Sequence, residues 1–221
     1  MGNSGTVKKT KAREPGSKQE SAWAGDFGNQ YTKRNLKEDV WSVPARTAMY
    51  ARIFSHTEGI ESVIEFGANV GANVRAITHL LPHVKYSAIE INKTAIKHLK
   101  SLGRVDRIYN MSLLSFLPDE ESDFAFTQGV LIHINPDFLP DVYDRLYAAS
   151  RRYICVTEYF NPTPVTVPYR GQDDLLFKRD FAGDLLDRFS DLRLISYGFN
   201  YSRDNTFPLG NSTWFLLEKR K

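Results

Sequence analysis

Cysteine is nearly absent from this chain: Cys155 is the only one in 221 residues. No internal disulfide can form, which fits a reducing, cytoplasmic setting. The thiol sits in an apolar run and reads as a buried structural group, since a nucleophile needs a polarised, accessible one. Long hydrophobic runs are also missing. None approaches the roughly 20 residues that cross a bilayer, and the N-terminus has no apolar signal core. No membrane partner is therefore expected. No His, Cys or Asp cluster has metal-ligand spacing, so no metal is expected. There is no internal repeat.

A global basic excess is missing too. The formal net charge is +3. Lys8, Lys9, Lys11, Arg13 and Lys18 against Glu14 and Glu20 account for all of it, so the rest of the chain balances to zero. That argues against a nucleic-acid partner, although a local basic pocket is not excluded. Residues 1–20 hold Gly, Ser, Lys and Pro and read as a disordered tail. Gly2 with Thr6 also fits an N-myristoylation pattern, which is short and common.

From residue 21 to 221 the composition is that of one globular domain. Trp23, Phe27 and Tyr31 fall on one helical face, and residues 42–57 suggest a second helix with Pro44 in its first turn. Alternation follows. Strands are expected at 63–66, 86–90, 107–110, 123–127 and 152–158, with helices at 71–81, 93–102 and 136–149 between them. This is the signature of a parallel sheet with helices on both faces. Residues 159–177 look like loop, and 181–189 like helix. The segments 192–201 and 212–218 read as strands too close together for a helical crossover, so they should pair antiparallel. The predicted fold is a doubly wound, mostly parallel seven-stranded sheet with a C-terminal antiparallel hairpin, Rossmann-like, as in the class I methyltransferases.

The stretch Val63-Ile64-Glu65-Phe66-Gly67-Ala68-Asn69-Val70-Gly71 is strand, glycine turn and helix start. Ligands of such folds sit at the carboxyl ends of the strands, where strand order switches. Gly67 permits a sharp turn, and Gly71 a tight start to the next helix. A dinucleotide site needs G-x-G-x-x-G, but Asn69 and Ala72 stand where glycines should. Glu65 would repel pyrophosphate and suit the ammonium of a bound amino-acid moiety. Glu90, at the end of the next predicted strand, can accept hydrogen bonds from both ribose hydroxyls, a role shared with dinucleotide folds. The E-x-G-x-x-x-G pattern resembles the first motif of class I methyltransferases, which use S-adenosylmethionine (SAM) and release S-adenosylhomocysteine.

A longer resemblance covers residues 22 to 219. Its landmarks are Trp23-Ala24-Gly25-Asp26-Phe27-Gly28 with Tyr31 and Arg34-Asn35, then Glu65 to Asn73 and Gly129 to Pro136. Glu158 to Pro164, Tyr169-Arg170-Gly171 and Phe177 to Gly183 complete it. On these strings the chain resembles the methylases associated with pseudaminic acid biosynthesis. It is similar also to the phosphonate O-methyltransferase of dehydrophos biosynthesis. The resemblance implies a SAM-dependent O-methyltransferase of a small anionic metabolite: a phosphonate, carboxylate or acidic sugar. It also favours N-terminal lid helices, with Trp23, Tyr31 and Arg34 at the cofactor and Tyr31 near the chemistry.

The fold places further candidates. Asn110, Met111 and Ser112 follow the third strand, where adenine is contacted. Thr127, Gln128 and Gly129 follow the fourth and should border the methionine moiety. His133 lies in the loop that faces the methyl group. It is a candidate base or substrate ligand, or else a half-buried histidine bonded to backbone or packed on adenine. Arg170, Lys178 and Arg179, beside Tyr169, could hold an oxyanion, or be ordinary charges near a helix start. An acidic oxyanion needs no base; a sugar hydroxyl would need His133. The Asn/Asp-Pro-Pro-Tyr of nucleic-acid amino-methyltransferases is missing after the fourth strand, where Phe126-Thr127-Gln128-Gly129 stands. A cofactor-binding protein without turnover is the alternative from another class, and a homodimer is compatible with the sequence.

Overall fold

The computed structural model describes residues 17–171 and 175–220, with the side chains of 37–41 left aside. The acylation pattern at Gly2 and most of the expected tail fall outside those residues. Residues 17–20, expected as part of the tail, are ordered into a helix start. Helix α1 (Lys18–Ala24) starts there, because Ser17 and Glu20 form a reciprocal capping box that satisfies two otherwise orphaned N–H groups. At Gly25 the backbone is extended (φ −98°, ψ −150°), so the single helical face expected for residues 23–31 is broken there. Helix α2 (Asp26–Phe54) then runs for 29 residues.

The helix expected at 42–57 is thus the second half of α2, and Pro44 lies within it rather than in its first turn. An internal proline costs about 3 kcal/mol or more. The helix continues past it because the residues that follow are held. Ala45, Met49, Tyr50 and Ile53 are buried, and each apolar side chain returns roughly 1.5–3 kcal/mol.

The chain then alternates as β1 (Ser62–Phe66), α3 (Ala72–Leu80), β2 (Lys85–Ile89), α4 (Lys93–Leu102) and β3 (Arg107–Tyr109). It crosses to β4 (Ser122–Gln128), two short 3-10 turns (Leu131–His133 and Pro136–Phe138), α5 (Leu139–Ala149) and β5 (Ser150–Glu158). The predicted loop at 159–177 contains a small antiparallel ribbon, β6 (Val165–Thr166) with β7 (Phe177–Lys178). Helix α6 (Phe181–Arg188), β8 (Leu192–Asn200) and β9 (Ser212–Lys219) follow.

The main sheet has seven strands in the order β3-β2-β1-β4-β5-β9-β8. Strands β1 to β5 pair in parallel. β9 runs antiparallel to both β5 and β8, as the short connection between the last two strands predicts. Strand alternation splits the core. Val63, Phe124, Phe126, Tyr86 and Cys155 pack with Met49, Tyr50 and Ile53 of α2 on one face. Ile64, Phe66, Ala125, Ile154 and Val156 pack with α5 and α6 on the other. Cys155 is a buried free thiol, and burial pushes its pKa up to about 12. Among the described residues no helix is long and apolar enough to cross a membrane.

Strand order reverses between β1 and β4, so their carboxyl ends open a cleft. The turn that leaves β1 is fixed by packing. Gly71 has φ +85°, and a Cβ there would lie 2.4 Å from Leu102 Cδ1 and 3.1 Å from Leu99 Cδ2. Gly71→Ala should therefore destabilise the fold by about 1–3 kcal/mol, read as a lower urea midpoint. An unchanged midpoint would show that the turn relaxes at no cost.

Candidate active site

The cleft is a cavity of about 230 Å³ walled by the loops after β1, β2, β3 and β4 and roofed by α1 and α2. One stripe of α2 supplies Gly28, Tyr31, Thr32, Asn35, Ser42 and Arg46, a set at helical spacing. The roof is tied down where α1 meets the loop after β2. Asn92 donates from Nδ2 to the Trp23 carbonyl (3.0 Å) and to Asn29 Oδ1 (3.1 Å). Gly28 is needed at this joint, because a Cβ there would lie 1.8 Å from the same Trp23 carbonyl oxygen. Glu20 reaches from α1 to Ser112, in the loop after β3.

Two carboxylates dominate the floor. Glu65 points to the α2 side of the sheet. It accepts from Asn73 Nδ2 (2.6 Å) and from the Tyr86 hydroxyl (2.6 Å). Asn73 accepts in turn from Arg46 Nη1 (2.6 Å). Burial raises the Glu65 pKa to about 7, against the opposing pull of the Tyr86 and Asn73 bonds and the Arg46 charge. Glu90, just beyond β2, accepts from the backbone N–H of Asn69 (2.7 Å) and of Asn92 (2.7 Å). Its pKa is raised by burial too, while those backbone bonds oppose the shift. Asn69 is left-handed (φ 46°), a conformation asparagine tolerates well. Among the described residues its Oδ1 is buried without a partner.

At the other end lie Gln128, Gly129, Val130 and His133. Gln128 accepts from the Tyr50 hydroxyl (3.0 Å). His133 is only 6% exposed. Its Nδ1 is 2.5 Å from the Leu175 carbonyl oxygen, and burial lowers its pKa to about 4. The His133 ring stands 4.7 Å from the Trp23 ring and 5.3 Å from that of Tyr169. The turn carrying it hangs from Glu158, which accepts from the N–H groups of Val130, Leu131 and Ile132. Glu158 is pushed up to about 7 by burial, with those bonds opposing.

Most of the residues expected at the site line the cavity: Trp23, Tyr31, Glu65, Gly67, Asn69, Glu90, Met111, Ser112, Gln128, Gly129 and His133. Gly71 does not, since its role is packing against α4. Thr127 is wholly buried in β4, and Asn110 turns its amide to the Glu90 and Ile91 carbonyls. Arg34 sits 5.6 Å from the Tyr31 ring centre. Neither these nor the three expected anion-binding cations line the cavity. Arg170 lies over the Tyr169 ring (5.4 Å), Lys178 over Tyr159 (5.5 Å), and Arg179 pairs with Asp184 (3.1 Å). Arg46, Asn73, Asn92, Glu20 and Glu158 were not expected from the sequence. Two of them had a readable signal: Asn73 ends the landmark string from Glu65, and Glu158 opens the one that runs to Pro164.

No family profile matches the chain, and no curated protein matches it in sequence. Solved structures do. The Burkholderia thailandensis 1,6-didemethyltoxoflavin-N1-methyltransferase, with 1,6-didemethyltoxoflavin and S-adenosylhomocysteine bound, superposes with a TM-score of 0.64 at 14% identity, over 88% of this chain and 89% of that one. The plantazolicin methyltransferase BpumL in complex with SAH gives 0.63 at 12% identity, over 92% and 94%. DhpI in complex with SAH gives 0.57 at 16%, over 87% and 94%. The fold is that of the class I methyltransferases. At these identities the likeness concerns architecture, which agrees with the predicted sheet.

Buried carboxyls raised above their unfolded values bind protons more tightly in the folded state. The stability they confer is complete below about 4.5 and is lost as pH rises through about 7. The melting temperature of the ligand-free protein should therefore fall between pH 5 and 8, and Glu65→Gln should flatten that fall. A melting temperature that rises across this window would contradict the assignment.

Proposed function

We propose that this chain is a SAM-dependent methyltransferase acting on a small molecule. The observation that carries the reading is the pair of buried carboxylates, Glu65 and Glu90, set at the ends of neighbouring strands in one cavity. Glu65, braced by Asn73, Tyr86 and Arg46, suits the ammonium of the methionine moiety. Glu90 retains lone pairs for the ribose hydroxyls after accepting its two backbone bonds. The orphaned Asn69 Oδ1 is an acceptor that lacks a donor among the described residues. These residues fit SAM. They do not fit pyrophosphate, which would meet acidic groups and a turn with Asn69 in place of glycine. When bound, SAM supplies an activated methyl group on a sulfonium, and the protein must align it with the acceptor and exclude water.

The finer assignment, to methylases of pseudaminic acid biosynthesis or to phosphonate O-methylation, rests on the resemblance of the long sequence strings. It would place a small anionic acceptor near Tyr31, Tyr169 and Arg170. The reading without turnover, a SAM-binding protein only, has no observation in its favour.

Calorimetric titration with SAM and, separately, NADH tests the reading. Micromolar binding of SAM alone, weakened at least tenfold in Glu90→Ala, is the expected result. Preference for NADH would overturn it. A second consequence concerns Glu65. An ammonium binds the ionised carboxylate, and Glu65 ionises only near 7. SAM affinity should therefore rise with pH up to about 7.5, by at most tenfold per unit, and this dependence should vanish in Glu65→Gln.

A further inference from the structure

The acceptor end of the cavity has an asymmetric chemistry. A carbonyl oxygen only accepts hydrogen bonds, so the contact between His133 Nδ1 and the Leu175 carbonyl requires the hydrogen on Nδ1. In the neutral ring Nε2 then carries a bare lone pair. Among the described residues Nε2 meets no hydrogen-bond partner, and the residue lines the cavity while almost entirely buried. Such a lone pair can accept from a donor that enters the cavity. The ring is also immobilised. Three successive N–H groups of its turn are gathered by Glu158, and Trp23 and Tyr169 flank it.

Among the described residues the rings that face His133 are aromatic and uncharged. Trp23 packs edge-on against Phe27 and Tyr31, each at 5.1 Å, and Phe27 lies 6.4 Å from Tyr169. Among the described residues the titratable and charged groups around His133 are Tyr169 with Arg170 on its ring, Lys178 on the strand β7 that packs against the turn, Tyr31 beyond Trp23, and Glu158 beneath the turn. Arg170 is exposed rather than part of the wall. Among the described residues the one cation that lines the cavity, Arg46, is bonded to Asn73 beside Glu65, so an anionic acceptor here would face that lone pair.

We infer that the methyl acceptor is an uncharged small molecule whose own O–H or N–H reaches Nε2 of His133, making His133 the proton acceptor of the reaction. This deepens the methyltransferase reading and depends on it. In the step, a lone pair of the acceptor oxygen or nitrogen forms the bond to the methyl carbon. The carbon–sulfur bond breaks, and its electron pair stays on sulfur. The positive charge passes to the acceptor, whose proton moves to Nε2 and then to water. A base with a pKa of about 4 is too weak to ionise a hydroxyl in advance. It suffices to take the proton once bond formation has made the acceptor acidic.

The test uses the full chain saturated with S-adenosylhomocysteine and labelled with ¹⁵N-histidine. Long-range ¹H–¹⁵N spectra are recorded from pH 5.5 to 8, with His133→Asn to assign the signals. The expected pattern is an Nδ1–H neutral ring across the whole range. An Nε2–H tautomer, or an imidazolium at pH 7, would overturn the inference. Phenol and phenylphosphonate, which share a ring and differ in charge, are then titrated in. Phenol binding at least tenfold more tightly, with an Nε2 shift, supports it; tighter phenylphosphonate overturns it. If neither binds, the nitrogen pattern decides. Failure of S-adenosylhomocysteine to bind would sink the cofactor reading separately, since the tautomer is read in the free protein as well.

Discussion

A carboxylate at the end of one strand holding the backbone of the next strand's loop is the device on which this site depends. Glu90, after β2, takes the N–H of Asn69 in the loop after β1. Glu158, at the end of β5, takes three N–H groups in the loop after β4. Each bond is charge-assisted when the acid is ionised, and such bonds are roughly twice as strong as neutral ones. They lie where a parallel sheet has no further ladder bonds to offer. Loops that would otherwise wander are fixed to neighbouring strands, and the cavity takes its shape from those fixtures. Burial works against them, because it raises the acids' pKa values towards neutrality. The loop after β4 is therefore held by a group, Glu158, whose charge is itself in balance near pH 7.

The roof obeys a different logic. α1 and the first turns of α2 contribute Trp23, Tyr31 and Asn35, and they are pinned through Asn92 and Ser112 to the loops after β2 and β3. Polar anchoring of the roof and aromatic packing inside it divide the cavity into two chemical halves. The carboxylates gather at β1 and β2, and the rings gather around His133. Such a division suits a reaction that joins a charged donor to a neutral acceptor, because each half favours one partner.

Much of this was legible in the sequence. Alternating apolar runs with short turns located all five parallel strands, and the short link from β8 to β9 required an antiparallel pair. Glu65, Gly67, Asn69 and Glu90 could be read because their spacing follows the strand-turn-helix unit itself. Other parts could not be read. Pro44 looked like a helix start, since nothing local reveals that α2 already runs for several turns before it. Arg170, Lys178 and Arg179 were candidates by their place in the sequence, but Tyr159, nineteen residues from Lys178, and Asp184, on the helix that follows Arg179, draw two of them aside. Glu158 and Arg46 act through bonds to residues far from them, and a single sequence does not show such bonds. The likeness to solved methyltransferases at 11–16% identity has the same cause, since many sequences satisfy one sheet order.

Strand β9 lies between β5 and β8, its only two neighbours in the sheet. β8 is thus synthesised before the one strand it can pair with. Its nine residues, with Leu194, Tyr197 and Phe199 turned outward, wait beside an equally unpaired edge of β5. On the ribosome the parallel half of the sheet can assemble while this half stays open. The protein is most exposed to wrong pairing in the interval before Trp214, Leu216 and Leu217 emerge and are buried. The strand that contributes nothing to the cavity is the one that ends the chain's vulnerable period.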